Sequence, residues 1–132
     1  MMDLARLLTL QRVFAGASIS YLVASAIREQ MTGAPLSAAA IGPSILMFLV
    51  YLGILVLPRA GRIGWYRLGM IPALLLFGVG GVIANVLRYL NGGADLYAGF
   101  LAFAVAVAIN LFGTCLNIVA LLGRFRTEGS VS

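Results

Sequence analysis

The chain has 132 residues, 62% of them hydrophobic and 10% charged, where a soluble domain carries about 25% charged residues. Its net charge is +5 and it has no His. All of its cations are arginines that flank apolar blocks and do not interleave with aromatics, which excludes a nucleic-acid face and leaves lipid as the main solvent.

A bilayer core needs about 20 apolar residues per helix. Four blocks meet this, at 8–27, 40–58, 66–88 and 96–122. The expected fold class is therefore all-α, an integral membrane four-helix bundle forming one transmembrane domain over 1–132. The first block begins near Arg6 and Arg12 and carries "ASA" at Ala24 to Ala26, a signal-peptide-like pattern. It reads here as a retained span. Gly16, Ser20 and Ala24 recur every fourth residue along it and predict a helix-packing seam, because small residues let helix backbones approach in lipid.

"REQMTGAPLSAA" joins the first span to the second, with turn chemistry at Gly33 and Pro35. The second span is bulky, with Gly53 its only interior small residue, and should face lipid most. Pro43 sits in its first turn and Pro58 ends it. In the third span Pro72 predicts a kink, and Gly80 and Ala84 form a small-residue pair. Trp65, Tyr66 and Tyr51 are expected to form one interfacial belt, and Tyr89 and Tyr97 the other.

The fourth span carries Ala102 and Ala106, then Asn110, Gly113, Thr114 and Asn117. The alanines predict packing. The polar residues after them fall on one helical face, and with Asn85 of the third span they form a candidate polar stripe. Carboxamides in lipid should point inward, as interhelical glue or as the lining of a path. Asn85 lies nearer the outer end of its span and is not expected to pair directly with Asn117; if the stripe has no partner within the chain, it must meet another subunit, a lipid headgroup or water. Cys115 reads as a small apolar filler, and one cysteine allows no disulfide or multi-cysteine metal site within the chain.

Arginine counting orients the bundle. The side shared by the N-terminus, the middle loop and the C-terminus holds Arg6, Arg12, Arg59, Arg62, Arg67, Arg124 and Arg126, against Arg28 and Arg88 on the other. Both termini should be cytoplasmic. Arg12, Arg59, Arg62 and Arg67 are candidate headgroup contacts.

No catalytic, cofactor-binding or metal site is expected. Without His there is no His-ligated haem, zinc or iron. Asp3, Glu29, Asp95 and Glu128 all lie outside the spans, which disfavours proton-coupled transport. Ser18, Ser20 and Thr114 have no base to activate them, and "GVGG" lacks the lysine of a phosphate loop. The expectation is a protein that is not an enzyme.

"GGVIANVLRY" and "AINLFGTCLN" are similar to phrases of the small fluoride channels, but they fall on the third and fourth spans instead of the first and second. A wider resemblance starts from Arg12, Phe14 and Gly16, from "GAPLSAAAI", and from the apolar run ending in Asn110. On these residues the chain resembles the GtrA-like family of small four-span proteins. The family's Asn-Phe…Asn-Arg…Trp-x-Phe ending is absent, and only Arg12, Gly16 and Asn110 carry over. The resemblance implies a bacterial-type inner-membrane carrier or flippase component for a lipid-linked or amphiphilic substrate. The expected partners are membrane lipids and further copies of the chain or a larger membrane complex. The alternative is a non-catalytic accessory or scaffold subunit of such a complex.

Overall fold

The structure, a computed structural model, describes residues 2–37, 40–93 and 97–127. Four helices are long and apolar enough to cross a membrane: α1 (Leu4–Thr32), α2 (Ile41–Ala60), α3 (Ile63–Gly93) and α4 (Phe100–Leu122). Each exceeds its expected span at one end or both, except α4, which starts later than expected; its anticipated first residue, Leu96, lies outside the described residues. Outside the helices, β1 (Met2–Asp3) pairs in parallel with β2 (Phe125–Arg126). This short pair ties the segments that precede α1 and follow α4.

The helix ends follow from local chemistry. Gly33 and Gly123 close α1 and α4 with φ of 80° and 70°, a left-handed cap that glycine adopts without a Cβ penalty. Arg67 reaches across from α3 and donates from Nε and Nη2 to the Leu121 carbonyl at 3.1 and 3.0 Å. This satisfies an orphan carbonyl and sets a cation at the negative end of α4. At the opposite end the α1–α2 loop folds back on α1. The Leu36 amide donates to Ser25 Oγ and Arg28 to the Pro35 carbonyl.

Proline 72 lies inside α3, which continues through it as a helix. The ring leaves no N–H for the carbonyl four residues earlier, and from Leu74 to Ile83 the helix runs in the wider π register. Such stretches are rare, mostly a single turn long, and frequent at functional sites. Gly78 and Gly81 of this stretch face α4. A Cβ on Gly78 would lie 3.4 Å from Thr114, and one on Gly81 would lie 2.5 Å from the Asn110 side chain. The close α3–α4 contact is therefore made by Gly78 and Gly81, whereas Gly80 is exposed and Ala84 half-buried.

The α1 seam also differs from the expectation. Gly16, Ser20 and Ala24 are exposed. The inward face carries Leu7, Leu8, Gln11, Phe14, Ala15, Ser18, Leu22 and Ser25. Large rings and hydrogen-bonding groups fill the interior, so the small residues fall outside it. Gly113 of α4 receives the Phe14 ring, leaving no room for a Cβ there. Ala106 is buried and Ala102 half-buried, with the Ala102 carbonyl accepting from Tyr21 at 2.8 Å. Cys115 faces outward. The second helix is the least buried of the four, with Phe48, Tyr51 and Leu55 its fully buried side chains.

Gly113→Ala should destabilise by about 1–3 kcal/mol through overpacking, because Phe14 is hemmed in by three other rings. Gly16→Ala, which meets open space, should change little. Unfolding of the purified chain in a neutral detergent checks the contrast.

Candidate functional site

The middle of the bundle is an aromatic floor. Phe14 of α1 makes edge contacts with Phe48 and Tyr51 of α2 and Phe77 of α3 at centroid distances of 5.5, 5.6 and 5.6 Å. Phe48 stacks on Phe77 at 4.4 Å. Such pairs are worth about 0.5–1.5 kcal/mol beyond their burial. Two different polar environments lie on either side of these rings.

On the side of the chain termini is a sealed network with one member or more from every helix. Asn117 Oδ1 accepts from Gln11 Nε2 at 3.0 Å and from the Tyr51 hydroxyl at 2.6 Å. Gln11 Oε1 accepts from the Tyr66 hydroxyl, and Gln11 Nε2 also lies 3.4 Å from Met70 Sδ. Gln11, Tyr66 and Asn117 are each 0% exposed and Tyr51 is 2% exposed. Buried polar groups are costly unless paired, so these four side chains hold one another in place. Asn117 Nδ2 has no acceptor among the described residues. Tyr51 and Tyr66 are thus interior residues and do not belong to an interfacial belt; of the three aromatics assigned there, Trp65 alone points outward, 64% exposed. The hydroxyls turn inward because Gln11 and Asn117 offer acceptors that lipid does not.

On the other side of the rings the helices part and leave a half-open cavity of about 340 Å³. Its apolar wall includes Leu22, Met47, Leu76 and Ile109, and Phe48 and Phe77 belong to its lining. Its polar lining comprises Ser18, Tyr21, Ser37, Ser44, Asn85, Asn110 and Arg88. The volume falls within the roughly 300–1,000 Å³ range of small-molecule sites. Among the described residues Arg88 is the only charged one in the lining. Asn85 Oδ1 accepts from Arg88 at 3.1 Å and from the Tyr97 hydroxyl at 2.6 Å, while Asn85 Nδ2 donates to the Gly81 carbonyl. Tyr97 is accordingly buried, and Tyr89 stacks on Phe103 at 4.1 Å.

The candidate stripe is therefore divided. Asn85 and Asn110 line the cavity, and Asn117 belongs to the sealed network. Thr114 lies between them against Gly78, bonded back to the Asn110 carbonyl at 2.7 Å. Asn110 Nδ2 bonds back to the Ala106 carbonyl at 2.9 Å. The stripe thus finds partners inside the chain. Of the candidate headgroup contacts, Arg12 and Arg59 line one groove, Arg62 lines another beside Trp65, and Arg67 is engaged with the end of α4. Gln11, Ser18 and Ser25 went unrecognised as inward residues. Their signal was a polar residue every seventh position along α1, on the same face as Leu8, Ala15 and Leu22.

In comparisons with known proteins, the chain matches no family model, no curated sequence and no solved structure.

Asn117→Leu should cost about 1–3 kcal/mol, because it strands the Gln11 amide and the Tyr51 hydroxyl. Asn110→Leu, whose amide bonds only to its own helix, should cost clearly less. Parallel unfolding curves of the two variants provide the check.

Proposed function

We propose that this chain is a carrier or flippase-type transport component for an amphiphilic or lipid-linked substrate, working as a homo-oligomer in a bacterial-type inner membrane with both termini cytoplasmic. The cavity carries this reading. It is half-open, lies among four helices long and apolar enough to span a membrane, and is lined by both apolar and polar side chains. A headgroup would meet Asn85, Asn110 and the serines, while its chain lay against Met47, Leu76 and Ile109. The aromatic floor and the sealed network below it would close the path toward the chain termini. The π-helical stretch from Leu74 to Ile83 forms part of the wall, and its weaker ladder is a natural place for the wall to move. The resemblance to the GtrA-like family at Arg12, Gly16 and Asn110 points the same way. Arginine asymmetry supports the orientation.

A second reading has an observation of its own. Gly16, Ser20 and Ala24 present a small-residue face outward from α1. A non-catalytic accessory or scaffold subunit would use such a face against a larger membrane protein. Stoichiometric co-purification with a larger complex from native membranes favours this reading, and a chain that runs alone or with its own copies counts against it.

Reconstitution into vesicles containing a fluorescent short-chain lipid, quenched from outside, tests the first reading. The wild-type chain should speed exchange between leaflets relative to empty vesicles. Ser44→Trp, which fills the cavity, should remove most of that gain at unchanged folding. If wild type gives no acceleration, or the filled cavity works as well as the open one, the transport reading fails.

A further inference from the structure

A second concavity lies at the opposite end of the bundle, beside the chain termini, and does not depend on the cavity described above. It is a groove of about 800 Å³ between the start of α1, the end of α2, the start of α3 and β2. Three separate chain segments bring arginines to it: Arg12 from α1, Arg59 from α2 and Arg126 from β2. Among the described residues Asp3 is the one carboxylate in its lining, and it is engaged with Arg126 at 3.0 Å. Among the described residues neither the Arg12 nor the Arg59 guanidinium has a hydrogen-bond or ion-pair partner. The rest of the lining is largely apolar, with Leu4, Leu8 and Ile63 contributing.

We infer that this groove binds the headgroup of an anionic phospholipid, with the phosphate between Arg12 and Arg59. The argument starts from charge. Among the described residues three guanidinium groups face one carboxylate, a local excess of cation, and a guanidinium fork matches the oxygen geometry of a phosphate. Depth comes next. The 29 residues of α1 span about 44 Å at 1.5 Å per residue, against a hydrocarbon core of about 30 Å. The helix must overhang, and Arg12, about 12 Å from its start, lies near enough to the edge of the hydrocarbon for its long side chain to reach the headgroups. The apolar lining selects between sources of phosphate. Leu4, Leu8 and Ile63 would pack on the glycerol and first methylenes of a lipid, and would gain nothing from a free ion. The Asp3–Arg126 pair and the β1–β2 pairing hold the third arginine in place, so the site is assembled by the folding of the two terminal segments onto each other.

Native mass spectrometry of the full chain released from vesicles of equal phosphatidylglycerol and phosphatidylcholine tests this. The wild type should retain phosphatidylglycerol selectively. The double variant R12Q/R59Q should lose at least fivefold of that retention, and R12K/R59K, which keeps the charge but not the fork, should fall between. R6Q/R124Q, which removes the same charge from two exposed arginines that line neither the groove nor the cavity, should retain the lipid like wild type. The R12K/R59K and R6Q/R124Q results decide the matter if R12Q/R59Q fails to fold. Equal retention of phosphatidylcholine, unchanged retention in R12Q/R59Q, or an equal loss in R6Q/R124Q overturns the inference. So does displacement of the lipid by inorganic phosphate beyond that caused by chloride at the same ionic strength, because the site would then be one for the free ion.

Discussion

Four side chains from four helices meet around Gln11 and Asn117, and the arrangement of the bundle follows from that meeting. In lipid there is no hydrophobic drive to gather helices, so close packing and polar pairs must do it. Gln11 has both an acceptor and a donor to place, and α2, α3 and α4 contain few groups able to take them. Once Gln11 is bonded to Tyr66 and Asn117, and Asn117 to Tyr51, the rotation of each helix about its own axis is set near that end. The Phe14 ring then falls against Gly113, where there is no Cβ to refuse it, and Phe48 and Phe77, stacked on each other, meet it edge-on.

The other half of the molecule is looser as a consequence. Beyond the aromatic floor, α4 stays close to α3 through Gly78 and Gly81, while the space bounded by Ser44 and Met47 of α2 and Leu76 and Gly80 of α3 is unfilled. The bundle thus has a tight end and an open end. Its polar groups are divided accordingly, between a sealed network that supplies rigidity and a cavity whose side chains face available volume. The proposed transport role would use both: a part that keeps the helices together and a part that admits a ligand.

Much of this was legible in the residues. The four spans, their short connections and the outward bulk of α2 follow from hydropathy and side-chain size alone. The absence of carboxylates from the expected spans is a direct reading of the sequence. The inward direction of Asn117 followed from the cost of exposing a carboxamide to lipid. Less legible was which of two faces a helix turns inward. On α1 the small residues at Gly16, Ser20 and Ala24 and the mixed face at Gln11, Phe14, Ser18 and Ser25 are both periodic, and small residues advertise packing more loudly than a lone glutamine does. The tyrosines misled for a related reason. A tyrosine near the end of a span is an interfacial anchor by default, and the acceptors that draw Tyr51 and Tyr66 inward belong to helices distant in sequence. The π register in α3 was only hinted at by Pro72, because the length of such a stretch depends on what packs beside it.

The central claim is that Gln11 and Asn117 act as one unit joining α1 to α4. A double-mutant cycle with Gln11→Leu and Asn117→Leu, read as unfolding free energy of the purified chain, tests it most directly. A favourable coupling of about 0.6–2 kcal/mol, the range for hydrogen bonds between membrane helices, is the predicted result. Additive effects with no coupling would contradict it.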